Sequence, residues 1–213
     1  ARYTVRMSDS AVESPKKYTV QEYLAFELTA KDKHEYDNGE ILAMSGGTLQ
    51  HGQIASKVLV ALGKRLDGKP CQPLGSDTKV RIEDAGRFVY PDVFVVCGPF
   101  ELDHEDRQQG VILNPTLIVE VLSLSTERYD RVEKFAAYRM LPSLKEFVLV
   151  SQWEPHVETF FRHEDGRWTI RTFKGMDATL DLPSLGITIP LSEIFLNVEF
   201  QPDPRPNPES EPA

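Results

Sequence analysis

The chain has no run of about 18 consecutive apolar residues, so nothing in it reads as a membrane-spanning helix. Cysteine is scarce: Cys71 and Cys97 are too few and too isolated for a disulfide framework or a zinc site. Both are expected to be reduced thiols of a cytoplasmic protein. The five histidines, at 34, 51, 104, 156 and 163, show no paired ligand spacing, which argues against a zinc centre. An excess of basic charge is missing too, since 24 Lys and Arg oppose 33 Asp and Glu for a net charge of −9. That balance argues against broad, nonspecific coating of nucleic acid, which depends on neutralising phosphates.

Local charge departs from the total. Between 57 and 81, Lys57, Lys64, Arg65, Lys69, Lys79 and Arg81 oppose only Asp67 and Asp77. An acidic protein can meet a polyanion through such a patch when divalent cations offset its carboxylates.

A length of 213 residues, 40% hydrophobic and 27% charged, fits one domain with a real core. Residues 1–17 lack the apolar core of a secretory signal and are expected to form a flexible tail. Residues 201–213 alternate proline with polar residues and are expected to be disordered, leaving 18–200 as the folded unit. That unit opens on a capping box, Thr19-Val20-Gln21-Glu22, and Asn38-Gly39 then marks a hairpin. Gly46-Gly47-Thr48 precedes a helix over 49–67 whose stripe is Ile54, Val58, Leu62 and Leu66. Strands are predicted over 78–82, 88–96, 116–122, 146–151, 156–162 and 167–173. A helix over 130–140 is given the apolar face Val132, Phe135, Ala136 and Arg139 or Met140, and a last helical turn spans 191–195. The fold class is α/β in the α+β sense, a central mixed sheet flanked by helices.

Glu120 stands out against this pattern. Leu117, Ile118, Val119, Val121 and Leu122 surround it in a strand that should carry only apolar side chains. An unpaired buried charge costs several kcal/mol or forces protonation, so such a group is compensated by a cation or a hydrogen-bond network. Asp92 follows Pro91, which marks a bulge or strand start, and Lys134 lies on the helix after the Glu120 strand. Two carboxylates on strand ends with an ammonium nearby are the groups that metal-dependent phosphodiester hydrolysis needs.

Tyr90-Pro91-Asp92, Val119-Glu120-Val121-Leu122-Ser123, Asp130, Lys134 and Tyr138 together resemble the Uma2 family, itself similar to PD-(D/E)XK restriction-endonuclease-like nucleases. Thr19 to Leu24, Glu35 to Met44 around Gly39, His51 and Ser76-Asp77 fit the same series, so the likeness spans about 18–196. The resemblance implies a restriction-endonuclease-like core, a Mg²⁺ or Mn²⁺ site, and endonuclease activity on DNA. Asp92 and Glu120 would then be the metal-binding acids, with the Val121 carbonyl a further ligand. Leu122 stands where the superfamily motif has lysine, and Lys134 would take its place. Glu35, His51 and Asp77 are additional candidate site residues.

Plainer readings stand beside these. Glu120 could pair with a core cation, Lys134 with Asp130 on a solvated helix face, and His51 could serve at a helix start. Tyr138, Trp153 and Trp168 read as packing residues. A non-catalytic binding module on the same fold, or a hydrolase for another phosphorylated substrate, are the alternative functions. A homodimer is expected for an enzyme that cuts both strands of a duplex.

Overall fold

The predicted capping box is formed: the Thr19 side chain accepts from the Glu22 amide, and Glu22 reaches back to Thr19, opening α1 (Val20–Glu27). The computed structural model describes residues 16–44, 46–106, 110–124, 127 and 129–203. Nearly all of the two predicted tails lies outside those residues. Asn38 (φ 47°) and Gly39 (φ 101°) both adopt left-handed backbone, which turns β1 (His34–Asp37) into β2 (Glu40–Ala43) as that dipeptide predicts. Thr48 caps α2 (Leu49–Leu66), whose buried stripe is Ile54, Val58, Ala61, Leu62 and Leu66.

Two sheets follow from the strands. The smaller has the order β2-β1-β5-β4, with β4 at Val80–Ile82 and β5 at Arg87–Val89. The larger has six strands in the order β10-β9-β8-β7-β6-β3. Its members are β3 (Cys71–Gly75), β6 (Val93–Cys97), β7 (Leu117–Val121), β8 (Glu146–Val150), β9 (His156–Arg162) and β10 (Trp168–Lys174). Among the described residues of this sheet β7 and β8 pair in parallel and the other neighbours antiparallel, so the sheet is mixed, as expected. A hairpin, β11 (Thr179–Leu182) with β12 (Ile187–Pro190), and α4 (Leu191–Phe195) close the chain.

The large sheet is covered on both faces, which is why its central strands are apolar on both sides. Val93, Val119 and Val148 pack under α2, the last hairpin and α4. Phe94, Ile118 and Phe147 face Val80, Ile82 and Tyr138 on the other side.

Three expectations change. The predicted strand 88–96 is two strands in two sheets, broken at Tyr90-Pro91-Asp92 because proline cannot continue the ladder. The segment after β7 buries Asp130, Lys134, Ala137 and Tyr138, while Val132, expected inward, is 60% exposed. Cys71 and Cys97 are not reduced thiols: they are register partners on β3 and β6 and form a disulfide. The cytoplasmic expectation drew on those thiols and loses that support. Among the described residues no helix is long and apolar enough to cross a membrane.

Glu146, at the start of β8, is fully buried, and its Oε2 accepts from the Ser184 amide (3.2 Å) and hydroxyl (2.6 Å). Its Oε1 has no partner among the described residues. Burial pushes its pKa up from 4.5 to about 7 against the two Ser184 bonds. The native carboxyl thus holds its proton to higher pH than the unfolded one, and stability is lost as pH rises from about 4.5 to about 7. Glu146→Gln is expected to flatten that slope and to gain on the order of 2–3 kcal/mol at pH 8. Urea denaturation of both proteins at pH 5 and pH 8 checks this, and parallel pH profiles would refute it.

Candidate active site

The break at Tyr90-Pro91-Asp92 hands the chain from the small sheet to the large one and leaves Asp92 at the mouth of β6. Val93 pairs with Val119 in antiparallel register, so the next step along sets Asp92 beside Glu120. Asp92 Oδ2 accepts from the Val121 amide at 2.7 Å, which fixes the carboxylate at the strand end. Glu35 enters from β1: its Oε1 accepts from the Tyr90 amide at 3.3 Å. Acids from two sheets therefore converge on one point.

The turn that covers them is a π-helix, Tyr129–Lys134, running directly into α3 (Phe135–Tyr138). Wide turns of this kind recur at functional sites, because the extra residue re-aims neighbouring side chains. Here both Asp130 and Lys134 are buried. Lys134 Nζ lies 3.2 Å from Glu35 Oε1, 3.2 Å from Glu120 Oε1 and 3.5 Å from Asp130 Oδ1. The Tyr138 hydroxyl donates to the same Glu120 Oε1 at 2.6 Å.

His51, in the first turn of α2, arrives from the opposite face of the large sheet. Its Nε2 lies 3.1 Å from Asp92 Oδ2, and it also bonds the backbone at Val121. Gly47 makes this possible: a Cβ there would sit 2.8 Å from His51 Nδ1. The Gly46-Gly47-Thr48 break thus caps the helix and makes room for an imidazole.

Electrostatics follow from burial. Desolvation raises the pKa of Glu120; Lys134 opposes this, while the charges of Asp92 and Asp130 add to it. Desolvation alone would lower Lys134, but Glu120, Glu35, Asp130 and Asp92 together raise it well above the lysine range. Lys134 therefore stays an ammonium. For His51, burial is outweighed by the bond to Asp92 and the charges of Asp92 and Asp130, so its pKa rises. Acid exceeds base in this cluster, and its acidic side chains offer only hard oxygen donors.

A model of the Uma2 family, described as "Putative restriction endonuclease", matches residues 20–192. The chain belongs to the Uma2 family. The uncharacterized protein slr1290 of Synechocystis sp. is 35% identical over 184 residues, covering 86% of this chain and 94% of that protein. A second Synechocystis protein, the uncharacterized sll1609, is 30% identical over 176 residues, covering 83% of this chain and 98% of that protein. Among solved structures, "a putative nuclease belonging to DUF820" from Anabaena variabilis superposes with a TM-score of 0.65 at 16% identity. That match covers 84% of this chain and 97% of the other, and it establishes a shared fold.

Of the residues singled out as Uma2 site candidates, five are gathered here: Glu35, His51, Asp92, Glu120 and Lys134. Asp77 is not. Its side chain is 95% exposed and pairs with Lys33, in the turn before β4. Tyr138, read as packing alone, is buried and hydrogen-bonded to Glu120, and Asp130 belongs to the cluster rather than to a solvated face. The spacing Asp130, Lys134, Tyr138 was the available signal, three polar groups four residues apart on one helical stripe.

Removing Lys134 leaves Glu35, Glu120 and Asp130 facing one another without their cation. Lys134→Met is expected to destabilise the fold by about 3–5 kcal/mol, and adding Glu120→Gln is expected to recover part of that loss. Denaturant midpoints of the two variants against the parent decide it. A single variant as stable as the parent would contradict the ion network.

Proposed function

We propose that this chain is a Mg²⁺- or Mn²⁺-dependent endonuclease that hydrolyses DNA phosphodiester bonds. The observation that carries this reading is the convergence of Asp92, Glu120 and Lys134 at the paired ends of β6 and β7. Membership of a family described as "Putative restriction endonuclease" supports it.

The donor set suits a hard divalent cation. Carboxylate and carbonyl oxygens are its preferred ligands, and the surplus of acid over base supplies the compensating charge. Among the described residues no three acidic, histidine or cysteine side chains are grouped to hold a metal ion. Mg²⁺ is commonly held by one or two carboxylates with waters completing its shell, and in this reading Asp92, Glu120 and the Val121 carbonyl would hold it. When bound, such an ion supplies Lewis acidity toward a phosphoryl oxygen and lowers the pKa of a water.

The chain's own groups divide the remaining work. Tyr138 and Lys134 hold Glu120 in one rotamer, and His51 with the Val121 amide holds Asp92. Lys134, permanently charged, would orient the attacking water or face the negative charge that develops on the phosphoryl oxygens. The Leu122 position cannot supply that ammonium from the strand, so the role passes to the π-turn. A non-catalytic module is the second reading, favoured by one fact: Lys134 already pairs internally with Glu35, Glu120 and Asp130.

Glu120→Gln and Asp92→Asn are each expected to lower Mg²⁺-dependent plasmid nicking at least about a hundredfold while leaving the circular dichroism spectrum unchanged. Calorimetric titration with Mg²⁺ or Mn²⁺ should lose its binding signal in the same variants. Full nicking by both would sink the proposal, and no metal binding by the parent would favour the module. Gly47→Ala should displace His51 and reduce nicking roughly tenfold, the scale of a lost supporting contact at a metal site.

A further inference from the structure

The helix that brings His51 to the cluster has an unusual composition. α2 spans 18 residues without one Asp or Glu, in a chain whose net charge is −9. Its inner stripe is packed on the large sheet, but its outer stripe, Leu49, Gly52, Ser56, Val60 and Lys64, is exposed. Leu49 is 73% and Val60 54% exposed, and Leu196, just after α4, is 55% exposed.

Two grooves run along this face, of about 510 and 540 Å³, and they share Ser56 and Lys57. The first starts at Thr48, the cap of the helix that carries His51. The second ends at Lys64, Arg65 and Leu196, beside α4. Arg65 is committed to Glu193, at 2.8 and 3.0 Å. Lys57 and Lys64 line the grooves and, among the described residues, enter no ion pair within 4 Å. Seven residues apart, they stand two turns and roughly 10 Å apart on one side of the helix.

We propose that the outer face of α2 is a track for a nucleic-acid backbone, leading a phosphodiester strand toward the carboxylate cluster at the N-terminal end of the helix. The choice of partner rests on the nuclease reading. The chemistry fits a polyanion: Lys57 and Lys64 meet phosphates, Gln53 and Ser56 offer donors, and Gly52 lets a backbone approach closely. No carboxylate lies on the helix, and Glu193, which lines the second groove, is held by Arg65, so local repulsion of a polyanion is reduced. A second copy of the chain fits less well, because its α2 carries no acid to meet the lysines.

The test uses the full chain in chelator, so that no cleavage occurs, with fluorescein-labelled 20-base-pair duplex and 20-nucleotide single-strand DNA as probes. In Lys57→Ala/Lys64→Ala, affinity at 0.1 M salt is expected to fall about tenfold or more, and the slope of log K against log salt to shrink by roughly two. Lys31→Ala/Lys174→Ala, an equal loss of charge elsewhere, should bind as the parent does. The probe that responds to the α2 lysines identifies duplex or single strand as the ligand. Unchanged affinity and slope in the α2 variant, or no binding by the parent, overturns the track. So does a dimer that Val60→Arg dissociates without altering DNA affinity, which would make this face a self-interface. Lysine-dependent binding without any nicking in Mg²⁺ keeps the track and removes the nuclease; nicking indifferent to both lysines does the reverse.

Discussion

Burying an ammonium costs several kcal/mol unless carboxylates surround it, and burying carboxylates costs as much unless a cation meets them. In this protein the two requirements are met at one point, where Lys134 lies within 3.5 Å of Glu35, Glu120 and Asp130. The acids come from separate parts of the chain: Glu35 from the small sheet, Glu120 from the large one, Asp130 from the crossover between β7 and β8. The ion network therefore also joins the two sheets, beside the apolar packing of Val80, Ile82 and Val89 on Phe94, Ile118 and Phe147. Its balance is incomplete, since Asp92 adds further negative charge beside His51. That surplus of acid is the physical link between how the chain folds and the metal chemistry proposed for it.

Position matters as much as charge. Asp92 sits where proline ends one sheet and starts another, and Glu120 is fixed by pairing on both sides of its strand. Such strand ends hold catalytic groups more tightly than loops do. His51 and its supporting Gly47 come from the opposite face, so the cluster is clasped from both sides of the large sheet. The outer side of the same helix carries Lys57 and Lys64 and no acid, in contrast to the acidic cluster at its N-terminal end.

Much of this was legible in the sequence, and for identifiable reasons. Local signals carried α1, the Asn38-Gly39 hairpin, α2 and α4, because capping boxes, left-handed turns and apolar stripes depend on near neighbours. Glu120 was conspicuous because a charge inside an apolar strand breaks the local rule, and such breaks concentrate at sites. The segment after β7 was misread for the opposite reason. Its inward face carries Asp130, Lys134 and Tyr138, polar groups that an apolar-periodicity argument assigns to solvent, and a π-turn shifts the period itself. Asp77 had a suitable type and place in the series, but its partner Lys33 lies in a loop whose approach no pattern reveals. The pairing of Cys71 with Cys97 was hidden likewise, since strand register across 26 residues of sequence is a tertiary fact.

That pairing has a consequence for how the site is specified. The two cysteines close a covalent ring that contains β4, β5 and the hand-over at Tyr90-Pro91-Asp92. A one-residue slip of β6 against β3 would turn every side chain of β6 to the wrong face, and Asp92 would turn with them. Bonding Cys71 to Cys97 excludes that slip whenever the two strands pair. The β3–β6 register from which Asp92 projects is thereby written into the covalent structure.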